Sequence, residues 1–304
     1  MRTLMVFVDG VGIGAADPTR NAFVAAPPRA ISELLDGALV AEWTEPKLAR
    51  RASLVPLDAQ LRVPGLPQSG TGQYSLFTGE NGAQRFGRHY GPWVPTALRE
   101  SLQRDNLLTR AQAAGWRTAF ANAYPEELVE AAHPNGVFRP IGPLRAGPPL
   151  VAAGAGLLVR HTSALLHGDA ISSEITNEAW REHLHRHSLP RIDAHMAGAN
   201  LAGIANQHDL TLFAHYNTDT AGHKQDLNEA IRALHLVDDF LAGILKALDS
   251  NITLVVVSDH GNLEDASAGH TKNPALGLAV GAGHEAFAER VSSILDVASA
   301  LLSP

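Results

Sequence analysis

The chain has 304 residues, of which 45% are hydrophobic, and it carries a formal net charge of −7 at pH 7. This length and composition suit one large α/β core, or such a core with a small additional domain. Because the sequence contains no cysteine, disulfides and thiolate chemistry are excluded. Without a basic stripe, we expect neither a nucleic-acid partner nor an anionic membrane partner.

Short apolar runs recur along the chain and predict strands that are buried on both faces of a parallel sheet. The first run, "LMVFV" at 4–8, follows the single cation Arg2. It is too short for a signal peptide or a membrane span, so we expect a cytoplasmic protein. The other runs lie at 117–121, 210–214, 252–257 and 276–280.

Helical periodicity fills the intervals between these runs. Residues 224–249 show the strongest pattern, with apolar residues that recur at spacings of three and four. Weaker patterns cover 99–114 and 194–206, and the tail 287–302 is amphipathic. Strands that alternate with helices indicate βαβ units around a mostly parallel sheet, which is the α/β fold class.

Residues 128–188 fit this alternation less well. They contain Pro- and Gly-rich stretches and then a histidine-rich polar run, "REHLHRHSLP". We interpret the segment as a small inserted cap between two parts of a core, 1–127 and 189–304. Three histidines of the polar run are more typical of a cap surface than of metal ligands; they are His183, His185 and His187.

Three of the predicted strands lead into a carboxylate. Asp9 ends "LMVFVDG", Asp219 lies in "LTLFAHYNTDTAGH", and Asp259 ends "ITLVVVSDH". Because ligands bind beyond the carboxyl ends of the strands in an open α/β sheet, these side chains should converge on one edge. Three imidazoles are expected at the same edge, and they are His223, His260 and His270.

Three carboxylates and three imidazoles are too many ligands for one closed site and suit two divalent cations, Mn²⁺ or Zn²⁺. Two such ions clamp the attacking and leaving oxygens of an in-line phosphoryl displacement. A hydroxyl nucleophile is available in "LPQSGTGQYSLFTGENG", where Ser69 follows Pro67 at the predicted start of a helix. The free N–H groups and the positive dipole of a helix N-terminus suit a phosphate.

Each of these residues also has a structural interpretation. Asp259 and His260 could cap a helix, Asp9 could begin a turn, and Ser69 could be an ordinary N-cap. Three residues just beyond the nucleophile helix suit either a phosphate contact or a solvated loop, and they are Arg85, Arg88 and His89.

Five stretches resemble the alkaline phosphatase superfamily, in particular its cofactor-independent phosphoglycerate mutases and phosphopentomutases. In the family's order they are "VFVDGVGIG", "SGTGQYSLFTG", "NTDTAGHKQD", "SDHGNLED" and "HTKNPALGL". The resemblance implies a three-layer α/β sandwich around a mostly parallel sheet, with an inserted cap. It also implies one metal ion at Asp219, His223 and His270, and a second at Asp9, Ser69, Asp259 and His260.

The chain departs from the family pattern in two places. Ser69 aligns with the family nucleophile, which lies three residues before a Gly-His or Asn-His pair, but the pair here is Gly72-Gln73. This departure leaves Thr71 as an alternative nucleophile. Phosphoglycerate mutases of this branch also carry a large inserted domain with substrate-binding residues, whereas this chain leaves room only for 128–188.

The sequence therefore predicts a two-metal phosphoryl-transfer enzyme, either a phosphatase or a phosphomutase, that acts on a small phosphorylated metabolite through a phosphoserine. A phosphodiesterase or nucleotide pyrophosphatase is the second enzymatic hypothesis, because "YSLFTG" also resembles that branch. A metal-binding protein that has lost its activity is the non-enzymatic alternative. A sulfatase is disfavoured, since no cysteine is available for conversion to formylglycine. The oligomeric state does not follow from the sequence.

Overall fold

The computed structural model describes residues 2–40 and 45–303. Seven strands in these ranges are β1 Arg2–Val8, β2 Lys47–Leu48, β3 Ala52–Leu57, β4 Thr118–Phe120, β5 Leu210–His215, β6 Ile252–Val257 and β7 Ala275–Val280. They form one sheet in the order β2-β3-β7-β6-β1-β5-β4.

The centre of the sheet is parallel, and one side is antiparallel. β1 pairs in parallel with β5 and with β6, and β4 extends the parallel run beyond β5. β7 runs antiparallel to its neighbours β6 and β3, and β2 runs antiparallel to β3. Five of the seven strands therefore share one direction, which confirms the prediction of a mostly parallel sheet.

Helices pack on both faces of this sheet. Those in the described ranges are α1 Ala22–Ala25, α2 Arg29–Leu35, α3 Ser69–Thr78, α4 Gly82–Phe86, α5 Thr96–Arg104, α6 Leu107–Ala113, α7 Glu126–Ala131, α8 Gly147–Gly154, α9 Thr162–His167, α10 Glu178–His183, α11 Ala194–Ala205, α12 Asn217–His223, α13 Leu227–Ala247, α14 His284–Arg290 and α15 Val297–Leu302. Short 3-10 turns lie at Pro134–Gly136 and Gly142–Arg145. None of these described helices has both the length and the apolar character that a membrane span requires.

Alternate residues of β1 enter two separate apolar cores. Met5 and Phe7 pack with residues of α3, α5, α6, α8, α14 and α15. Leu4, Val6 and Val8 pack on the opposite face with residues of α1, α2, α11 and α13. A strand that is buried on both faces needs an unbroken apolar run, and this arrangement gives the predicted three-layer α/β sandwich.

The predicted helices are present with changed boundaries. The pattern at 224–249 is α13, and the pattern at 194–206 is α11. The pattern at 99–114 is two helices, because the side chain of Asn106 caps a new helix, α6. The amphipathic tail 287–302 likewise divides between α14 and α15.

The segment 128–188 contains both core and peripheral parts. α8 lies within it, and its residues Leu150 and Val151 are buried in the same apolar core as Phe7. Trp180 belongs instead to a small separate apolar cluster. The division into a cap and two core parts stays a prediction.

Candidate metal centre

The carboxyl ends of β1, β5 and β6 lie side by side, because β1 pairs with both of the other strands. Asp9 directly follows β1, and Asp259 follows β6 after one intervening residue. Asp219 lies in the first turn of α12, the helix that follows β5. Three carboxylates from distant parts of the chain are therefore brought to one edge of the sheet, as the strand ends predicted.

Two groups of potential metal ligands form at this edge. Within each group the ligand atoms lie within 4.8 Å of one another. In one group, His223 Nε2 lies 3.3 Å from Asp219 Oδ2 and 3.1 Å from His270 Nε2. The other group consists of Asp9, Asp259 and His260. These are the two sets that the family resemblance implies, apart from Ser69.

The two groups are contiguous. His260 Nε2 lies 3.4 Å from Asp9 Oδ1 in its own group and 3.9 Å from Asp219 Oδ1 in the other. The ring centroids of His260 and His270 are 4.1 Å apart. Asp219 therefore lies at the boundary of the two groups, and the six side chains form one centre.

Ser69 is the first residue of α3 and lies at this centre. Its Oγ is 3.0 Å from His260 Nε2. Ser69 also lines a cavity of about 410 Å³ together with Asp219, His223 and His270. α3 can approach so closely because of Gly72, where an added Cβ would lie 3.0 Å from the Asp259 carbonyl oxygen.

Thr71, the alternative nucleophile, is buried and directed elsewhere. Its Oγ1 accepts a hydrogen bond from the backbone N–H of Tyr90 at 3.1 Å and lies 3.4 Å from the carbonyl oxygens of Gln68 and Tyr90. Thr71 does not line the cavity beside Ser69. The geometry therefore favours Ser69 as the nucleophile.

The electrostatics of the centre are those of crowded carboxylates. Burial raises the pKa of Asp9 well above its ordinary value, and the charge of Asp259 adds to this effect. Burial likewise raises the pKa of Asp259. Burial lowers the pKa of His260, but the negative charges of Asp259 and Asp9 outweigh burial and raise it to about 10. Burial alone would raise the pKa of Asp219. A hydrogen bond with His270, the charge of His260 and a hydrogen bond from Asn262 outweigh this effect and lower the pKa to about 2.

These residues fit divalent cations. Two buried oxygens, Asp9 Oδ1 and Asp259 Oδ2, have no hydrogen-bond partner in the part of the chain that the structure describes, which is costly for a carboxylate unless a cation is present. His270 Nδ1 lies 2.8 Å from the Pro67 carbonyl oxygen, and such a contact leaves Nε2 free as a ligand atom. Carboxylate, imidazole and hydroxyl donors suit Mn²⁺ or Zn²⁺.

Two further side chains support this centre, and sequence reasoning did not assign them a role. Gln73 donates to Asp9 Oδ2 at 3.2 Å and accepts from the backbone N–H of Gly147 at 2.8 Å. It is the residue at which the chain departs from the family pair. Asn262 donates to Asp219 Oδ1 at 2.7 Å. Its signal was its position two residues after His260, in the quoted stretch "SDHGNLED".

The three residues expected at a substrate phosphate do not line the Ser69 cavity. Arg85 forms an ion pair with Glu80 and also contacts the Tyr74 hydroxyl. Arg88 lies over the ring of Tyr90, with 5.9 Å between its Cζ and the ring centroid. His89 Nε2 lies 3.2 Å from the carbonyl oxygens of both Gln60 and Val63.

The chain is similar to known proteins in part of its sequence and in its fold. A family model described as the metalloenzyme superfamily matches residues 190–303. The 2,3-bisphosphoglycerate-independent phosphoglycerate mutase of Desulforudis audaxviator is 36% identical over 112 residues, which are 34% of this chain and 22% of that protein. The corresponding enzyme of Ruegeria sp. is 33% identical over 125 residues, 38% of this chain and 24% of that protein. The chain thus matches less than a quarter of the length of these relatives.

Two solved structures share the fold over almost the whole chain. A protein from Pyrococcus horikoshii has a TM-score of 0.55 at 14% identity and covers 93% of this chain and 86% of its own. An alkaline phosphatase from an Antarctic bacterium has a TM-score of 0.53 at 11% identity, and the match covers 99% of this chain and 97% of the phosphatase chain. Residues 190–303 thus match the metalloenzyme superfamily, and the chain shares the fold of an alkaline phosphatase. Its sequence is similar to 2,3-bisphosphoglycerate-independent phosphoglycerate mutases over 34–38% of its length.

Proposed function

We propose that this protein is a metal-dependent phosphoryl-transfer enzyme of the alkaline phosphatase superfamily, with Ser69 as its nucleophile. The observation that carries the proposal is the position of Ser69 Oγ, 3.0 Å from His260 Nε2 and on the wall of a cavity shared with Asp219, His223 and His270. The proposed ligand sets are Asp219, His223 and His270 for one ion, and Asp9, Ser69, Asp259 and His260 for the other. The proposed substrate is a small phosphorylated metabolite, in keeping with the names of the matched relatives.

Mn²⁺ or Zn²⁺ ions at these two sets would neutralise charge on the non-bridging phosphoryl oxygens and lower the pKa of the Ser69 hydroxyl. In the proposed step, the Ser69 hydroxyl loses its proton to solvent and its Oγ attacks phosphorus. The bond to the leaving oxygen breaks, that oxygen takes up a proton from solvent, and a phosphoserine forms. The N-terminus of α3 places its positive dipole end at the same point. Asp9 and Asp259 are held in position by Gln73 and by the backbone N–H of Gly10.

A second acceptor completes the cycle. If water accepts the phosphoryl group, the enzyme is a phosphatase; if a hydroxyl of the substrate accepts it, the enzyme is a mutase. The same centre serves either reaction, and the outcome depends on whether water is excluded from the Ser69 cavity.

The test is to trap and locate the phosphoenzyme. The metal-loaded protein is incubated with phosphorylated metabolites, quenched in acid and analysed by peptide mass spectrometry, while free phosphate and positional isomers are scored in parallel. We expect the phosphate on Ser69, and we expect Ser69→Ala to lose the phosphoenzyme and on the order of 10⁴-fold or more in turnover. Thr71→Ala is the matched control, with a much smaller effect.

Other outcomes separate the alternatives. Phosphate on Thr71 would move the nucleophile by two residues, and undiminished turnover in Ser69→Ala would contradict the proposal. Faster hydrolysis of a chromogenic phosphodiester than of the monoester would favour the phosphodiesterase hypothesis. No turnover with either metal would favour a binding protein without activity.

A further inference from the structure

Gln68 directly precedes Ser69 and is the residue from which α3 starts. Its backbone is extended, and its side chain makes no capping hydrogen bond with the helix. The backbone carbonyl of Gln68 accepts from the N–H of Gly72 at 2.9 Å. The side-chain amide is partly exposed and has no hydrogen-bond partner among the described residues. The local structure therefore leaves this amide available to a ligand.

The side chain of Gln68 lines the Ser69 cavity, as does Gly91. The two residues are in close contact, since a Cβ added at Gly91 would lie 3.0 Å from Gln68 Oε1 and 3.4 Å from Gln68 Cβ. The same added Cβ would lie 3.5 Å from the backbone nitrogen of Ser69. The lack of a side chain at Gly91 thus gives the amide its place on the cavity wall, beside the start of α3.

The rest of the cavity wall offers few hydrogen-bond donors. Apart from Ser69 and the proposed metal ligands, the other lining residues are Leu66, Gly91 and Pro92, whose side chains carry no donor. One N–H group of the first turn of α3 is also unavailable, because that of Thr71 donates to the Tyr90 carbonyl oxygen at 2.9 Å. Among the described lining residues, Gln68 therefore supplies the side-chain donor that neither binds metal nor acts as the nucleophile.

The geometry of phosphoryl transfer indicates which substrate atoms such a donor meets. The leaving oxygen lies in line with the nucleophile on the far side of phosphorus, and three non-bridging oxygens lie around this axis. A side chain that adjoins the nucleophile and lines the same cavity is therefore beside the non-bridging oxygens rather than the leaving group. Negative charge on these oxygens is stabilised by fixed hydrogen-bond donors, and an amide N–H is one.

We infer that Gln68 is a further catalytic residue, whose side-chain N–H donates to a non-bridging phosphoryl oxygen of the substrate. The contact is with the group that is transferred, so it serves every substrate that the Ser69 cavity admits. The inference rests on the proposed function, because it requires a phosphoryl group at Ser69. It adds a substrate contact that neither the metal ligands nor the nucleophile provides.

The test uses Gln68→Met, which keeps the length of the side chain and removes the donor. In titration calorimetry, the metal-loaded variant should bind inorganic phosphate about 10-fold or more weakly than the wild type, the usual effect of one lost hydrogen bond to a charged group. For the same reason, its kcat/KM should fall about 10- to 100-fold. The fall should be similar for phenyl phosphate and for glycerol 3-phosphate, because the contact does not involve the leaving group. Gln68→Glu keeps the shape but presents a negative charge, so its losses should be at least as large.

Further measurements separate this contact from a structural role. Both variants should keep the metal content and the thermal unfolding temperature of the wild type, since the amide has no partner in the protein to lose. Gln84→Met, at an exposed glutamine of α4, is the matched control and should behave like the wild type. The inference is overturned if Gln68→Met binds phosphate as tightly as the wild type, if it loses metal ions, or if its loss of turnover is confined to one of the two substrates. A wild type that neither binds phosphate nor forms a phosphoserine would instead refute the proposed function, and the inference with it.

Discussion

Glu264 is almost completely buried, and its two carboxylate oxygens connect two loops at the candidate metal centre. One oxygen accepts from the backbone N–H groups of Gly12 and Asn262, at 2.9 and 2.8 Å. The other accepts from Thr271 Oγ1 at 2.5 Å and from Asn273 Nδ2 at 3.0 Å. Gly12 lies in the loop after β1, and the other three partners lie in the connection between β6 and β7. One side chain therefore positions segments that carry proposed ligands of both metal ions.

Glu264→Gln should therefore be far more harmful than its small change in shape suggests. Each carboxylate oxygen of Glu264 accepts from two donors, so the NH₂ of a glutamine side chain would face two donors whichever way its amide is turned. We expect a loss of about 3 kcal/mol in the free energy of unfolding and roughly 10- to 100-fold weaker metal affinity. Urea unfolding and metal titration provide the two measurements. Glu285→Gln, at an exposed glutamate, is the matched control, and equal behaviour of the two variants would contradict the role of Glu264.

Asp259 tests the metal assignment directly. Its side chain is fully buried, and Oδ2 has no hydrogen-bond partner among the described residues. We expect Asp259→Asn to lose at least one of two bound divalent ions, because the amide supplies a weaker, uncharged ligand. Elemental analysis of the reconstituted protein measures this loss. Asp249→Asn, at a half-exposed surface aspartate, should keep both ions, and full occupancy in Asp259→Asn would refute the assignment.

The sequence was sufficient to place residues at strand ends but not to pair side chains across loops. Asp9 and Asp259 were predicted at one edge because a buried strand fixes where its last residue lies. Arg85 could not be assigned in this way, since its pairing with Glu80 depends on how the chain turns between α3 and α4. The same applies to Thr71, whose hydroxyl is directed to Tyr90 by a loop that no local pattern predicts.

At the scale of elements, α11 and α13 approach each other closely through two glycines. A Cβ added at Gly198 would lie 2.1 Å from the carbonyl oxygen of Phe240, and one at Gly243 would lie 2.0 Å from that of His195. Backbone atoms cannot move away as the end of a flexible side chain can. The contact therefore fixes the position of α13, which also packs against α12 and thus supports the metal centre.

Gly198→Ala should consequently separate the two helices and destabilise the protein by about 2 kcal/mol or more, the usual cost of overpacking. Gly203→Ala is the control within the same helix, since a Cβ there meets no atom within 4 Å. We expect that change to stabilise the protein by about 0.5–1 kcal/mol, because alanine is the better helix former. Thermal unfolding compares both variants, and a neutral Gly198→Ala would show that the helices separate without cost.

Two strands, β2 and β3, were not predicted, and for β3 the reason is physical. Its sequence "ASLVPL" contains Pro56, which cannot donate a hydrogen bond and so argues against a strand. In the sheet, the short β2 pairs only with Ser53 and Leu54, so Pro56 lies where one side of β3 has no neighbouring strand. A proline is tolerated at such an edge, but the edge is visible only after the sheet is assembled.

At the scale of the whole molecule, metal binding should remove a fall in stability that the metal-free protein shows as the pH rises. In the metal-free protein, His260 has a folded-state pKa of about 10 against an ordinary value of 6.5, because nearby carboxylates outweigh its burial. A raised folded pKa gives stability that is complete below pH 6.5 and is lost as the pH rises towards 10. Asp9 and Asp259, whose pKa values are also raised, act in the same direction.

We therefore expect the free energy of unfolding of the chelator-treated protein to fall between pH 6.5 and 10. The metal-loaded protein should lack this fall, because bound cations replace the proton on His260. Urea unfolding at pH 6.5, 8 and 9.5 measures both forms. A metal-free His260→Gln variant should also lose most of the pH dependence of the free energy of unfolding. If that free energy changes equally with pH in the metal-free protein, the metal-loaded protein and the variant, this account is contradicted.

The position of β1 at the centre of the sheet has a consequence for the order of events during synthesis. β1 is made before the other six described strands, and its partners among them are β5 and β6, which begin at Leu210 and Ile252. Until the ribosome has passed residue 210, this apolar strand has neither of these native neighbours. The central sheet can close only after β6 has emerged, so any nascent chain that stops before residue 252 exposes a strand that is ready to pair with another copy.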